Sequence, residues 1–110
     1  MRPPTSPEVE RIVLNGCFGG FSLSDAAHAK LGSIRRDGWW DLPVHLRDLS
    51  ELDFRSYPDV VAVVDDLGSD ANGRSAALYI VEVPAEFTDN IHIAEYDGRE
   101  HIAENHRRWS

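Results

Sequence analysis

The stretch RIVLNGCFGGFSLSDAAHAKLG, residues 11–32, decides the predicted fold, because a strand pattern, a glycine loop and a helix pattern follow one another in it. The aliphatic run predicts a buried strand from Arg11 to Cys17. Ser22 and Asp25 have the spacing of a capping box, and the residues after them predict a short helix that ends at Gly32. The order strand, loop, helix indicates mixed α and β structure.

Three further patterns lie downstream. PDVVAVVDDL, residues 58–67, predicts a helix with Pro58 at its first position and valines on one face. AALYIVEVP, residues 76–84, predicts a second strand. IHIAEY and REHIAE, on either side of Asp97-Gly98, predict a hairpin. Residues 33–57 have no sustained period and predict only a strand near Trp39 to Leu42.

These patterns predict one small α+β domain over residues 11–110, with a mainly antiparallel sheet and two short helices packed on one face. A chain of 110 residues has the size of a single domain. The opening MRPPTSPEVE, residues 1–10, is proline-rich and lacks apolar periodicity. It is predicted to be a mobile leader.

The charge and the cysteine content exclude several classes of function. The formal net charge is -8 and no lysine-rich or arginine-rich tract offsets it, so binding to a long nucleic acid is not expected. A single cysteine cannot form an intrachain disulfide, and no apolar stretch has the length of a membrane span. We therefore expect the cytoplasm as the location and no membrane contact.

The glycine loop is the main candidate for a ligand-binding site. Gly19 and Gly20 allow close backbone approach to an anion, and Phe18 and Phe21 offer rings for stacking on a base. Ser22 and Ser24 precede a helix whose first N–H groups carry partial positive charge. The alternative is a strand-to-helix turn in which the glycines are needed only for the backbone conformation and the rings enter the core. The sequence leaves both interpretations open.

Cys17 has two interpretations. A nucleophilic thiolate would need a histidine or a helix N-terminus nearby, whereas a lone cysteine at the end of a strand is typical of a small buried side chain. We include Cys17 among the ligand-binding candidates and predict no catalytic residue, so the chain is not expected to be an enzyme.

Arginines and histidines give the remaining candidates. Arg107 and Arg108, beside Trp109, form a basic and aromatic cluster that can grip a phosphate, and Arg74 follows a predicted turn where it could instead pair with Asp65. The histidines lack the motifs of a zinc site, so no metal and no cofactor is predicted.

The strings IVLNGCFGGFSLS, PDVVAVVDDLG, ANGR, LYIVEVP and EYDGREHIAENHRRW resemble, in this order, a family of small proteins of uncharacterised function encoded by phages and prophages. The family commonly has glycine in place of Ser22 and an aromatic residue in place of His101. The resemblance implies a small α+β fold and a phage genome, and it implies no catalytic residues.

The leading hypothesis is a phage accessory protein for counter-defence that acts stoichiometrically by sequestering a nucleotide-like signalling ligand. The alternative is an acidic inhibitor that covers a basic surface on a host or defence protein. A third hypothesis is an enzyme that uses Cys17. A homo-oligomer is expected, because a small sheet with open edges often closes against a copy of itself.

Overall fold

The computed structural model describes residues 9–18 and 20–104, except for the side chains of residues 87–89. Its elements are β1 (Val9–Asn15), α1 (Asp25–Leu31), β2 (Ile34–Arg36), β3 (Trp39–Asp41), α2 (Val44–Arg47), α3 (Glu51–Ser56), α4 (Pro58–Leu67), β4 (Leu78–Pro84), β5 (Ile91–Tyr96) and β6 (Arg99–Glu104), with short 3₁₀ helices at Gly68–Ala71 and Ala85–Asn90. The predicted α+β class is confirmed.

The strands of the described part of the chain form antiparallel pairs. β1 pairs with β4, β2 with β3, and β5 with β6. The pairing confirms the predicted antiparallel arrangement, although the strands form three small sheets. The hairpin over the Asp97-Gly98 turn has the predicted bounds, and its register places Tyr96 opposite Arg99.

The β1–β4 pair is the middle layer of the molecule. Val13 packs into a core built mainly from α1 and α4, with Ala27, Val60 and Val64 buried there. Ile12 and Leu14 point to the opposite face, where they pack with Ile91 at the start of the β5–β6 hairpin. This separation follows from the period of two in a strand, which sends neighbouring side chains to opposite faces.

The helices on either side of the glycine loop follow from local sequence signals. Pro58 opens α4 at a position where its missing N–H costs nothing, and Gly68 ends the helix. Ser24 caps α1 by accepting a hydrogen bond from Ala27 N, so the predicted capping role of Ser22 is wrong. Gly32 ends α1 in the left-handed conformation, as predicted.

Two regions differ from the sequence-based predictions. Residues 33–57 contain the β2–β3 hairpin and the helices α2 and α3 as well as the predicted strand at Trp39–Asp41. These elements have three to six residues each, too few for a periodic pattern to emerge. β1 begins at Val9, so the strand includes two residues that the sequence assigns to the leader; the rest of that segment lies outside the described residues.

Candidate functional site

The first part of the glycine loop is fixed by Asn15, the last residue of β1. Its side chain is buried, donates through Nδ2 to Cys17 O at 2.7 Å and accepts from Ala77 N at 2.8 Å. Gly16 N donates to Ala77 O, and Gly20 N donates to Cys17 O at 3.2 Å. A buried amide with its donor and acceptor satisfied holds the backbone in one conformation. The loop therefore leaves β1 in a defined direction.

The last part of the loop is attached to the segment that follows α4. Gly73 N donates to Ser22 O at 3.0 Å, and Ser22 Oγ donates to Arg74 O at 3.4 Å. Ser24 Oγ donates to Asp70 O at 2.6 Å while it caps α1. The structure thus brings the Arg74 backbone beside Ser22. The Ser24 hydroxyl already forms these two hydrogen bonds within the fold. Only its place beside the loop supports its predicted role in ligand binding.

The two phenylalanines of the loop have different surroundings. The Phe21 ring lies over the Arg55 guanidinium at 3.8 Å and meets the Phe54 ring edge-on at 6.1 Å. Phe18 is 78% exposed, and its ring packs against Gly98 at the tip of the β5–β6 hairpin. Phe21 therefore fits the structural reading of the loop, and Phe18 remains available to a ligand.

A buried ion pair contacts Asn15, the residue from which the glycine loop begins. Arg55 is 3% exposed and donates to both carboxylate oxygens of Glu100 at 2.7 and 3.0 Å. It also donates to Val13 O at 3.0 Å and pairs with Glu51 at 2.5 Å. Glu100 accepts from Asn15 N at 2.7 Å. This network joins α3, β1 and β6 at the point where the loop begins.

The surroundings of Glu100 favour its charged form. Burial acts to raise the pKa of this carboxyl, but hydrogen bonds from the Arg55 guanidinium and from Asn15 N–H, with the charge of Arg55, outweigh that effect. The pKa of Glu100 is therefore held below its ordinary value. The carboxylate that anchors the loop is ionised at neutral pH.

Most cations of the described chain already have a carboxylate partner. The ion pairs are Arg11 with Asp65 and Glu82, Lys30 with Asp66, Arg35 with Asp25, Arg36 and Arg47 with Asp41, and Arg55 with Glu51 and Glu100. The predicted pairing of Asp65 with Arg74 is wrong, because Arg11 takes that position. Within residues 9–18 and 20–104, Arg74 and Arg99 are the lysines or arginines that have no such partner.

Arg99 lies at the opposite end of the loop from Arg74. Its guanidinium carbon is 5.0 Å from the centre of the Tyr79 ring, and a Cβ atom on Gly16 would be 3.3 Å from Arg99 Nη1. Tyr96, the register partner of Arg99, is 77% exposed. A cation beside the loop and an exposed ring on the same hairpin suit a ligand with both an anionic and a flat apolar part.

We name this region the glycine-loop surface and define it by Phe18, Gly20, Ser22, Arg74, Tyr96 and Arg99. Gly20 has φ 87°, a left-handed backbone conformation that favours glycine. Acidic groups also lie at its edge: Glu95 accepts a hydrogen bond from Gly98 N at 2.8 Å. The arrangement can bind and orient an anion; nucleophilic chemistry would require a base for Cys17, whose thiol has no hydrogen-bond partner among the described residues.

Several predicted site residues lie outside the described residues. These are Gly19 and the pair Arg107 and Arg108, together with Trp109. The sequence-based site also omitted Tyr96 and Arg99. The Asp97-Gly98 turn signal already placed both at a hairpin tip, but no sequence pattern indicates that this tip packs against Phe18 and Gly16.

His28 and His45 contact neighbours within the fold. His28 stacks on Trp40 with ring centres 5.1 Å apart, and its Nδ1 lies 3.0 Å from Ser33 Oγ. Burial lowers the pKa of His28, an effect that the Asp25 carboxylate opposes. Across the described part of the chain no group of three or more histidine, cysteine or acidic side chains is placed to hold a metal. No helix in that part is long and apolar enough to cross a membrane.

No protein-family model matches the chain, and neither a curated protein nor a solved structure is significantly similar to it.

Proposed function

We propose that this chain acts stoichiometrically by binding a nucleotide-like anion at the glycine-loop surface. One observation carries the proposal: Arg74 and Arg99 are the described cations without a carboxylate partner, the Arg74 backbone is bonded to Ser22, and the Arg99 guanidinium lies near Gly16. Unpaired guanidinium groups in an acidic chain are free to form charge-assisted hydrogen bonds with phosphate oxygens. Salt screens the distant negative charges over about 10 Å, so the net charge does not prevent local binding of a small anion.

The exposed rings support a nucleotide rather than a simple phosphate. Phe18 packs against Gly98, Tyr96 is the register partner of Arg99, and both exposed rings offer apolar faces to a base. The wider form of the proposal is a phage accessory protein that removes a nucleotide signal used in host defence. That setting comes from the resemblance to phage-encoded proteins and remains a prediction.

Calorimetric titration with cyclic dinucleotides and with cyclic ADP-ribose isomers tests the proposal. We expect binding heat with at least one of them, and we expect Arg74→Ala and Arg99→Ala each to weaken it roughly tenfold or more, the loss of a charge-assisted hydrogen bond. Arg36→Ala is the matched control, because Arg36 is paired with Asp41 on the β2–β3 hairpin. The absence of heat with every compound, or an equal loss in the control, contradicts the proposal.

The second candidate function is inhibition of a basic protein partner. The exposure of Phe18 and Tyr96 favours it, because large aromatic side chains dominate the energy of protein interfaces. The net charge of -8 would steer the chain toward a basic surface. In this case Phe18→Ala abolishes capture of the partner, while the nucleotides above give no heat.

A further inference from the structure

The two edges of β1 are used differently. Gly16 N bonds to Ala77 on the β4 side, so the even-numbered residues of β1 direct their backbone groups toward β4. Val13 O accepts instead from Arg55, and Asn15 N donates to Glu100. The odd-numbered residues therefore direct their N–H and C=O groups to the second edge.

Among residues 9–18 and 20–104, the second edge of β1 has hydrogen-bond partners along only half of its length. At Val13 and Asn15, the Arg55 and Glu100 side chains take the places that a neighbouring strand would fill. Val9 and Arg11 direct their N–H and C=O groups the same way, and these groups have no hydrogen bond to any residue in the described ranges. Backbone groups on an open strand edge are a template for pairing with another chain.

A groove of about 780 Å³ runs beside this open half of the edge. Residues 9–11 form one wall, and Lys30 of α1 with Val61, Ala62, Asp65 and Asp66 of α4 contribute to the other. The groove therefore offers backbone hydrogen bonds on one side, and on the opposite side an apolar surface with two carboxylates and one lysine. Such a pairing of features is typical of sites where an extended peptide joins a sheet.

We propose that this groove binds an extended, basic segment of a partner protein, which adds to β1 as a strand. The Asp65 and Asp66 side chains are 60% and 63% exposed in the ion pairs that they form with Arg11 and Lys30. A carboxylate accepts several hydrogen bonds, so each can also receive a lysine or an arginine from the incoming strand. The negative charge of the whole chain attracts such a segment and repels an acidic one.

A second copy of the chain fits this edge poorly. A two-fold axis centred on the open half places Glu10 opposite Glu10 or Arg11 opposite Arg11, and like charges directly opposite one another destabilise a strand pair. Each copy also carries a net charge of -8. The charge pattern therefore favours a different, basic chain at this edge.

Two synthetic heptapeptides of alternating lysine and valine test the inference, one unmodified and one with alternate backbone nitrogens methylated. We expect the unmodified peptide to shift the amide NMR signals of Val9, Arg11 and α4. The methylated peptide is expected to bind at least tenfold more weakly, because its methylated nitrogens cannot donate backbone hydrogen bonds to β1. A peptide of alternating glutamate and valine is expected to bind at least tenfold more weakly as well.

Variants at Arg11 provide the matched protein controls. Arg11→Pro removes an N–H that β4 does not use, whereas Arg11→Ala removes the same side chain and keeps that N–H. We expect binding to Arg11→Pro to be at least fivefold weaker than binding to Arg11→Ala. If circular dichroism shows that the proline variant is unfolded, the comparison of the methylated and unmodified peptides on the wild-type protein tests the inference instead.

Three results overturn the inference. One is equal binding of the methylated and unmodified peptides, and another is NMR shifts confined to residues outside β1 and α4. The third is a dimer, detected by sedimentation, that Arg11→Pro dissociates and Arg11→Ala does not, because a second copy would then occupy the edge.

Discussion

At the scale of single residues, Arg55 and Asn15 determine the geometry of the candidate site although neither faces a ligand. Arg55 is buried and bonds to Glu100, Val13 and Glu51, leaving its Nε without a partner in the described part of the chain. Burial of one unsatisfied N–H is tolerated because the other nitrogens form charge-assisted bonds. These residues connect the loop to three elements, and no local pattern in the sequence marks them.

The first prediction concerns this ion pair. Arg55→Met keeps an aliphatic side chain and leaves the Glu100 carboxylate without its cation, so we expect the free energy of unfolding to fall by about 3 kcal/mol. Urea denaturation measures it. Arg36→Met, which breaks an exposed pair with Asp41, is expected to change stability by less than about 1 kcal/mol. Equal effects would mean that Arg55 contributes only as a surface charge.

At the scale of elements, the sequence predicted those segments that carry their own signal. Pro58 and Gly68 bound α4, and Asp97-Gly98 fixes the β5–β6 hairpin, so both were predicted with correct bounds. α3 was missed because six residues cannot display an amphipathic period. Its position is set by tertiary contacts, with Phe54 and Arg55 against Phe21.

The second prediction separates turn geometry from packing at the hairpin tip. Gly98→Ala places a Cβ atom in the Phe18 ring at φ 85°, whereas Gly38→Ala meets nothing within 4 Å at φ 82°. Each alanine variant is expected to lose about 1 kcal/mol of stability, because alanine is strained in the left-handed backbone conformation. Gly98→Ala also displaces the Phe18 ring. We expect Gly98→Ala to be the more destabilising variant in urea denaturation.

A double variant checks the cause of that difference. Phe18→Ala removes the ring that a Cβ on Gly98 would meet, so adding Gly98→Ala to it is expected to cost no more than Gly38→Ala costs in the wild type. A full additional cost in the Phe18→Ala background would assign the effect to the backbone alone.

At the scale of the whole molecule, the sequence predicted the fold class, and its site residues remain predictions. The Arg74 backbone carbonyl does accept a hydrogen bond from Ser22 Oγ, so two of the predicted residues are neighbours. Arg99 and Tyr96 were missed because their place beside the loop depends on how one layer packs on another. A sequence pattern indicates the periodicity of one helix or strand. It does not indicate which other element that helix or strand packs against.

The third prediction concerns acid unfolding of the whole chain. A carboxyl whose pKa is lowered in the folded state stabilises the fold above its unfolded pKa, and that stabilisation is lost as the pH falls through the folded pKa. The ordinary pKa of a glutamate side chain such as Glu100 is 4.5. We expect Glu100→Gln to be less stable than the wild type at neutral pH.

Urea denaturation at a series of pH values from about 7 to about 3 measures this difference. The gap in unfolding free energy between the wild type and Glu100→Gln is expected to narrow as the pH falls below about 4.5, where the carboxyl is protonated in the unfolded chain. It is expected to close once the pH has also fallen through the lowered pKa of the folded state. A gap that stays constant down to the lowest pH would show that Glu100 acts through its shape and not its charge.

The hydrogen bond from Asn15 N to Glu100 joins residues that are 85 positions apart in the chain. Because a ribosome makes a protein from the N-terminus, the loop is synthesised early and its support at Glu100 late. The glycine loop can therefore gain its support at Glu100 only after translation has passed residue 100. A nascent chain released before that point would carry the loop without the carboxylate that anchors it.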